Sequence, residues 1–355
     1  MSADTTMYYE ALYSLASQGA EGELFGTRAP LAQEAFRRAS AGASMPTVWF
    51  EIPLCGPPRF DLHVAHANAD LHERAPFAPD AMDGHGELLN WYASEPREGG
   101  GLALAYDVGD GRIDAPAVHV NVKAAQAFDA AGFFAHVGRP EATALYDGLA
   151  RRLPQGWRIW YFGVHPGRPG APVRVDCFVD ADLQRAYAAD QAKLEEDLHE
   201  AGYANDGSTL RRVGGEVAAS PFDMELQFDL LPDGTLGGTV GVSAQFPLAV
   251  ASAARLPWEA GGSAAQLMEY AVSSGVADDR WRRIQDTIFS TALRDGDAVR
   301  AIYCVPVFVK FRVRAGELLD AKLYLQAGAA SLAHPAVPSP DAATASARST
   351  SAEAR

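Results

Sequence analysis

Along this chain, apolar and polar residues alternate in short runs that come in pairs, each pair split by turn residues, which is the pattern of antiparallel hairpins. TVWFEIPL and RFDLHVAH flank CGPP, LALAYDVG and APAVHVNVK flank GDGRID, and WRIWYFGVH and PVRVDCFVD flank PGRPGA. FDMELQFDLL and TLGGTVGVSAQF flank PDG, and AIYCVPVFVKFRVR and LDAKLYLQ flank AGEL. These five hairpins predict ten strands. Apolar residues at i, i+3, i+4 spacing predict helices between them. The helical stretches are AAQAFDAAGFFAHVG with EATALYDGLARRL, ADLQRAYAADQAKLEEDLHEAG, and DDRWRRIQDTIFSTALRDG. Two more, ALYSLASQGAEGELFG and PLAQEAFRRASAG, precede the first hairpin.

Ten hairpin-joined strands leave long exposed edges unless the sheet closes. Where alternation is clear, one strand face is aliphatic and the other carries charge. Helices covering the aliphatic face turn the charged face inward, and ten strands enclose a lumen wide enough for a ligand. The expected fold is therefore α+β: a closed ten-stranded antiparallel β-barrel with a polar lumen, surrounded by a ring of α-helices. No linker interrupts residues 1–328, which predicts a single domain. The Ala/Ser/Pro-rich tail, 329–355, lacks periodicity and is expected to be disordered.

Composition narrows function by exclusion. The 355 residues carry a formal charge of −15, which argues against general nucleic-acid binding, since phosphate contacts need a basic surface. Cys55, Cys177 and Cys304 are too few and too scattered for a disulfide framework or a zinc site, and are expected as buried free thiols. The N-terminal segment has no basic stretch followed by an apolar core. The longest weakly polar run, Gly237 to Trp258, is broken by Thr239, Ser243, Gln245 and Pro247. Neither a secretion signal nor a membrane span is expected. A cytoplasmic monomer is the default.

Candidate chemistry gathers in the last hairpin, FVKFRVRAGELLDAKLYL. Lys310, Arg312 and Arg314 share one face of its first strand, and Lys322 and Tyr324 share one face of its second. A turn at Gly316–Glu317 sets Arg312 opposite Lys322 and Lys310 opposite Tyr324, and lets Arg314 meet Asp320. Like charges facing each other destabilise a sheet. A bound polyanion relieves the repulsion, with Arg as a bidentate fork and Lys as a point charge. A solvated face, or cations satisfied by Glu225 and Asp176, accounts for the same pattern equally well.

On the polar parity of the first two hairpins stand Glu51, Asp61 and His63, then His119 and Asn121. A carboxylate that accepts a hydrogen bond from an indole, phenol or guanidinium orients that nucleophile, and a histidine can take its proton. Asp61, His63 and His119 also make a two-histidine, one-carboxylate set of the kind that holds iron. Trp49, Tyr106, Trp160, Phe162, Phe178 and Tyr324 offer π-faces to a developing cation and keep water out. Trp157, Ile159 and Tyr161 occupy the other parity of the fifth strand, which leaves its inward set open. Glu225, Gln227, Ser243 and Gln245 would line the remaining wall, which suits a polar or cationic acceptor such as a peptide side chain.

Repeated helix–helix–strand–strand units closing into a ten-stranded antiparallel barrel resemble the ABBA-type (PT-barrel) aromatic prenyltransferases. VWFEIPLCGPPRFDLHV is similar to that family's first hairpin. Glu51 stands where indole-using members have a glutamate, and Asp61 where some bacterial phenol-using members hold magnesium. DAKLYL is similar to the last strand, whose lysine and tyrosine, here Lys322 and Tyr324, touch the prenyl diphosphate. Indole-using members repeat Lys-x-Tyr on several strands. Here it is clear only once, and RVDCF offers Arg174 where a lysine is usual. No DDxxD motif occurs.

The resemblance implies a transferase that moves a dimethylallyl or geranyl group from its diphosphate to an aromatic small molecule or a peptide side chain. Lys310, Arg312, Lys322, Tyr324 and Arg174 would hold the diphosphate, while Glu51, Asp61 and His63 orient and deprotonate the acceptor. Trp49, His119, Asn121, Trp160, Phe162, Asp176, Glu225 and Gln227 would form the acceptor and prenyl pocket. No cofactor is required, and magnesium is admitted at Asp61. The alternative is a barrel that binds or modifies a polar small molecule or peptide without prenylating it.

Overall fold

The structure, a computed structural model, describes residues 13–14, 24–26, 29–40, 46–94, 100–108, 112–122, 128–166, 168, 170–204, 207–248, 251–295 and 298–331. Among them one antiparallel sheet contains β1 (Thr47–Pro53), β2 (Asp61–Ala67), β3 (Gly101–Tyr106), β4 (Ala117–Asn121), β5 (Trp157–Val164) and β6 (Val173–Val179). It continues with β7 (Asp223–Leu230), β8 (Leu236–Gln245), β9 (Phe289–Asp295), β10 (Ala298–Arg314) and β11 (Glu317–Ser331). Pairing runs β11-β1-β2-β3-β4-β5-β6-β7-β8-β10, and β10 pairs with β11, so ten strands close into a barrel. The ring leaves no barrel strand with a free edge along its closed part, which is the physical reason for closure.

Strand β9 was not foreseen. Periodicity predicts one helix over 278–296, but helical turns cover only Asp279–Arg283 and Ile284–Thr287 before the chain extends. The reason lies in β10, which is 17 residues long. β8 pairs with it only from Phe308 onward. Its first part, Ala298–Cys304, overhangs the barrel and takes β9 as its partner. Strand β11 likewise runs on to Ser331, past the boundary expected at Gly328. The rest of the expected tail, most of ALYSLASQGAEGELFG and the GDG of the second turn lie outside the described residues.

Helices lie at Ala130–His136 and Ala142–Arg152, within the segments that periodicity marked, and at Ala29–Ala39, one residue ahead of the marked start at Pro30. The segment 181–202 splits into Ala181–Ala189 and Gln191–Glu200, because Asp190 leaves helical geometry (φ −139°, ψ 98°) and caps the second helix, accepting from Ala192 N at 3.0 Å. Gly86–Ala93, Ser208–Ala219 and Ser263–Ser273 add helices that the pattern did not mark. None among the described residues is long and apolar enough to cross a membrane.

The core lies between barrel and helices. Val48, Phe50 and Ile52 point out of β1 and are fully buried, with Phe50 edge-on to Phe25 and Phe60. Phe162 points the same way on β5 and is packed by Phe133, Phe134 and Tyr146 from two helices. Trp157 stacks on Phe228 and donates to Tyr187 Oη at 2.8 Å. Tyr106 faces this layer too, beneath the Arg38 guanidinium. Cys177 and Cys304 are buried free thiols, whereas Cys55, in the turn after β1, is only half-buried.

Candidate functional site

A cavity of about 470 Å³ is lined by residues from all ten barrel strands. A smaller one of about 130 Å³ adjoins it on the side of the β10–β11 turn, sharing Glu51, Arg174, Gln227, Lys310, Arg312 and Lys322. Arg314 completes a group of five cations around this smaller space, with Arg174 from β6, Lys310, Arg312 and Arg314 from β10, and Lys322 from β11.

The register of the last hairpin differs from the expected one. Its turn is Ala315–Gly316, both at positive φ (48° and 82°), and a bulge interrupts pairing between Arg312 and Val313. Arg312 is therefore opposite Asp320, Lys310 opposite Lys322, and Phe308 opposite Tyr324. Arg312, not Arg314, forms the forked pair with Asp320, with Nε to Oδ1 at 2.7 Å. Arg314 donates to Thr239 Oγ1 at 3.1 Å instead. Phe308 stacks on Tyr324 at 3.9 Å between ring centroids, and Lys310 Nζ lies 4.7 Å from the same ring on the lumen side.

Strands β1 and β11 pair with Glu51 opposite Tyr324. The Glu51 carboxylate accepts from Lys322 Nζ and from Tyr324 Oη, and His63 Nε2 lies 3.4 Å from Oε2. Burial raises the Glu51 pKa, but Lys322, His63 and Lys310 outweigh it and hold the carboxyl well below the usual range. Lys310 is only 6 % exposed. Burial draws its pKa down to about 8 against the pull of Glu51 and Asp176. Its Nζ donates to Gln227 Oε1 at 3.2 Å. Arg174 reaches Asp229, with Nε to Oδ1 at 3.2 Å. Arg174, Arg312 and Lys322 thus pair directly with Asp229, Asp320 and Glu51, while Asp176 and Glu225 act on Lys310 at longer range.

On the adjacent strands β6 and β7, Asp176 and Glu225 are buried side by side, linked to Lys310 through Gln227. Gln227 donates to Asp176 at 2.7 Å and Gln245 to Glu225 at 2.5 Å. Burial raises both pKa values, and Glu225 is driven well above its ordinary value by burial and by Asp176. One proton shared between the two relieves the repulsion. His119 stacks between His63 (6.0 Å) and Tyr161 (5.2 Å). Burial, with His63 and Arg174 nearby, holds it neutral. Its ring lies so close over Gly163 that a Cβ there would sit 2.4 Å from Nδ1.

Most of the residues singled out by pattern line the larger cavity: Trp49, Glu51, His63, His119, Asn121, Trp160, Arg174, Asp176, Glu225, Gln227, Lys310, Arg312, Lys322 and Tyr324. Phe162 does not. A bulge between Ile159 and Tyr161 puts Trp160 and Tyr161 both on the lumen and sends Phe162 into the core. Tyr106 is likewise a core residue.

Asp61 lines neither cavity. It is opposite Glu51 in register, but its Oδ1 accepts from Val108 N at 2.9 Å. Burial and the Glu51 charge raise its pKa. Among the described residues no group of three or more His, Cys, Asp or Glu is placed to hold a metal ion. Asp61, His63 and His119 therefore do not assemble as an iron site. The pattern missed Asp107, His165, Arg168, Phe308 and Gln326. Three were legible by parity: Asp107 continues Ala103 and Ala105, Gln326 continues Lys322 and Tyr324, and Phe308 precedes Lys310. Comparison with known proteins finds no matching family model and no matching curated protein.

Proposed function

We propose that this barrel is an ABBA-type prenyltransferase that moves a dimethylallyl or geranyl group from its diphosphate to a nucleophilic acceptor within a polar lumen. The observation that carries the reading is the convergence of Arg174, Lys310, Arg312, Arg314 and Lys322 on one small cavity, next to the Glu51 carboxylate and the stacked Phe308–Tyr324 rings. Five cations around about 130 Å³ suit a compact polyanion, with Arg forks and Lys point charges on its oxygens. As the C–O bond ionises, the π-faces of Tyr324 and Phe308 stabilise the allylic cation and exclude water. Diphosphate binding draws Lys322 away from Glu51, which frees that carboxylate to accept a hydrogen bond from the acceptor. None of these steps is routed through a metal; magnesium stays admitted at Asp61, and the Asp61 carboxylate holds the Val108 N–H.

The test is turnover of dimethylallyl and geranyl diphosphate with a panel of indoles, phenols and peptides. Lys322→Ala and Arg312→Ala should each lower it roughly 10- to 100-fold, the worth of a charge-assisted hydrogen bond. Unchanged turnover in both variants removes the site assignment. A second reading, a barrel that binds a polar molecule without prenylating it, is favoured by one observation: Lys322, Arg312 and Arg174 already hold Glu51, Asp320 and Asp229. Calorimetric titration with a non-hydrolysable prenyl thiolodiphosphate separates the two, since that reading expects no binding.

A further inference from the structure

Four carboxyl groups line the larger cavity: Glu51, Asp107, Asp176 and Glu225. Glu51 is paired with Lys322 and Asp107 with Arg168. Asp176 and Glu225 have no ion-pair partner among the described residues, although they are 4 % and 7 % exposed. The amides of Gln227 and Gln245 hold one oxygen of each, and Asp176 Oδ2 is buried with no donor other than the proton shared with Glu225. Two buried carboxyls side by side need either a proton or a cation between them. A shared proton serves until a cation replaces it.

We infer that this β6–β7 wall is the subsite for a guanidinium group on the acceptor, bound between Asp176 and Glu225; the inference rests on the transferase reading and names its substrate class. Three features favour a guanidinium. It is planar, with five N–H donors in a fork that matches in-plane carboxylate oxygens, whereas an ammonium presents three donors tetrahedrally. It is weakly hydrated and stacks on aromatic faces, and Trp160 and Tyr161 line the same cavity. An indole or phenol offers a single donor and would leave the second carboxyl unpaired.

Two carboxylates also suit the chemistry, because one balances the cation and the other takes a proton. The allylic C–O bond breaks with its electron pair leaving on the diphosphate. The bound guanidinium displaces the shared proton to solvent, a guanidine nitrogen forms the new C–N bond, and the proton it loses returns to the carboxyl pair. Lys310 from β10, Arg174 from β6, Tyr161 from β5 and the two glutamines surround the pair and set its local charge.

The experiment is calorimetric titration of the full chain with Nα-acetyl-arginine-N-methylamide, its uncharged citrulline counterpart, the corresponding lysine derivative and, separately, a prenyl thiolodiphosphate. The arginine probe is expected to bind at least about tenfold more tightly than the citrulline and lysine probes. Asp176→Asn and Glu225→Gln, checked for native fold by circular dichroism, should each cost the arginine probe about tenfold or more. Equal binding of the arginine and citrulline probes overturns the inference, as does absence of arginine binding or an unchanged affinity in both variants. A chain that binds the thiolodiphosphate but not the arginine probe loses this subsite alone. One that binds the arginine probe but not the thiolodiphosphate loses the transferase reading and keeps the guanidinium site.

Discussion

Glu225 is a carboxyl that burial and the neighbouring Asp176 both push toward its neutral form, well above the usual 4.5. Between 4.5 and its folded pKa, the folded chain still holds a proton that the unfolded chain has released. Its contribution to stability is therefore complete in acid and shrinks as pH rises above 4.5. Glu225→Gln, which keeps the shape and cannot ionise, should melt close to wild type on the acid side of 4.5 and above it at neutral pH. An equal gap in thermal melts at both pH values would contradict this. Lys310 gives a second pH dependence, in binding. Its pKa of about 8 means that affinity for a prenyl diphosphate analogue should fall as pH rises through that value. In Lys310→Arg, which stays charged, the fall should vanish in the same titration. At this scale the pattern revealed which side chains face inward: Lys310, Arg312, Lys322 and Tyr324 follow from parity alone. It could not reveal partners. Lys322 meets Glu51 across 271 residues, and only the closed ring brings them together.

At the scale of elements, the β10–β11 turn carries strain that can be removed. Two-residue hairpin turns with both central residues at positive φ favour Asn-Gly, and this chain has Ala315–Gly316. Ala315→Asn should raise stability by about 1 kcal/mol, read as a higher denaturant midpoint with unchanged slope. A lower midpoint would mean that Ala315 tolerates this conformation better than asparagine does. The same turn explains why the predicted pairing was wrong. The turn position and the Arg312/Val313 bulge move Asp320 from Arg314 to Arg312. The β5 bulge is the second case. Parity cannot hold across it, so Trp160 and Tyr161 both line the lumen while Phe162 is buried outside. The helix Ser208–Ala219 escaped notice for a different reason. Gly214 and Gly215 read as breakers, yet a Cβ at either would lie about 2 Å from Leu194 or Gln191, so their absence of side chain lets two helices pack closely.

At the scale of the whole molecule, closure was inferred from the cost of exposed strand edges, and the ten-strand ring satisfies it. Strand β9 was not inferable that way, because nothing in 278–296 tells that β10 overhangs the ring. The ring also determines how a ligand acts on stability. Cations from β6, β10 and β11 surround the smaller cavity, so an anion bound there contacts both sides of the β10–β11 seam and reaches across to β6. Such an anion has its full set of contacts only when the barrel is closed. Its binding energy therefore adds to the stability of the entire barrel, by about 2.7 kcal/mol at a hundredfold excess over Kd. For a chain of this size that corresponds to a rise in Tm on the order of 5 °C. The rise should appear as one displaced transition, coincident by tryptophan fluorescence and circular dichroism, and should be absent in Arg312→Ala/Lys322→Ala. The chain's overall charge of −15 repels an anion at long range, so the shift depends on these local cations rather than on the surface at large. A prenyl thiolodiphosphate that raises Tm equally in that double variant would place the anion elsewhere. A transition that splits, with only one part displaced, would show that the strands around the cations melt apart from the rest of the ring.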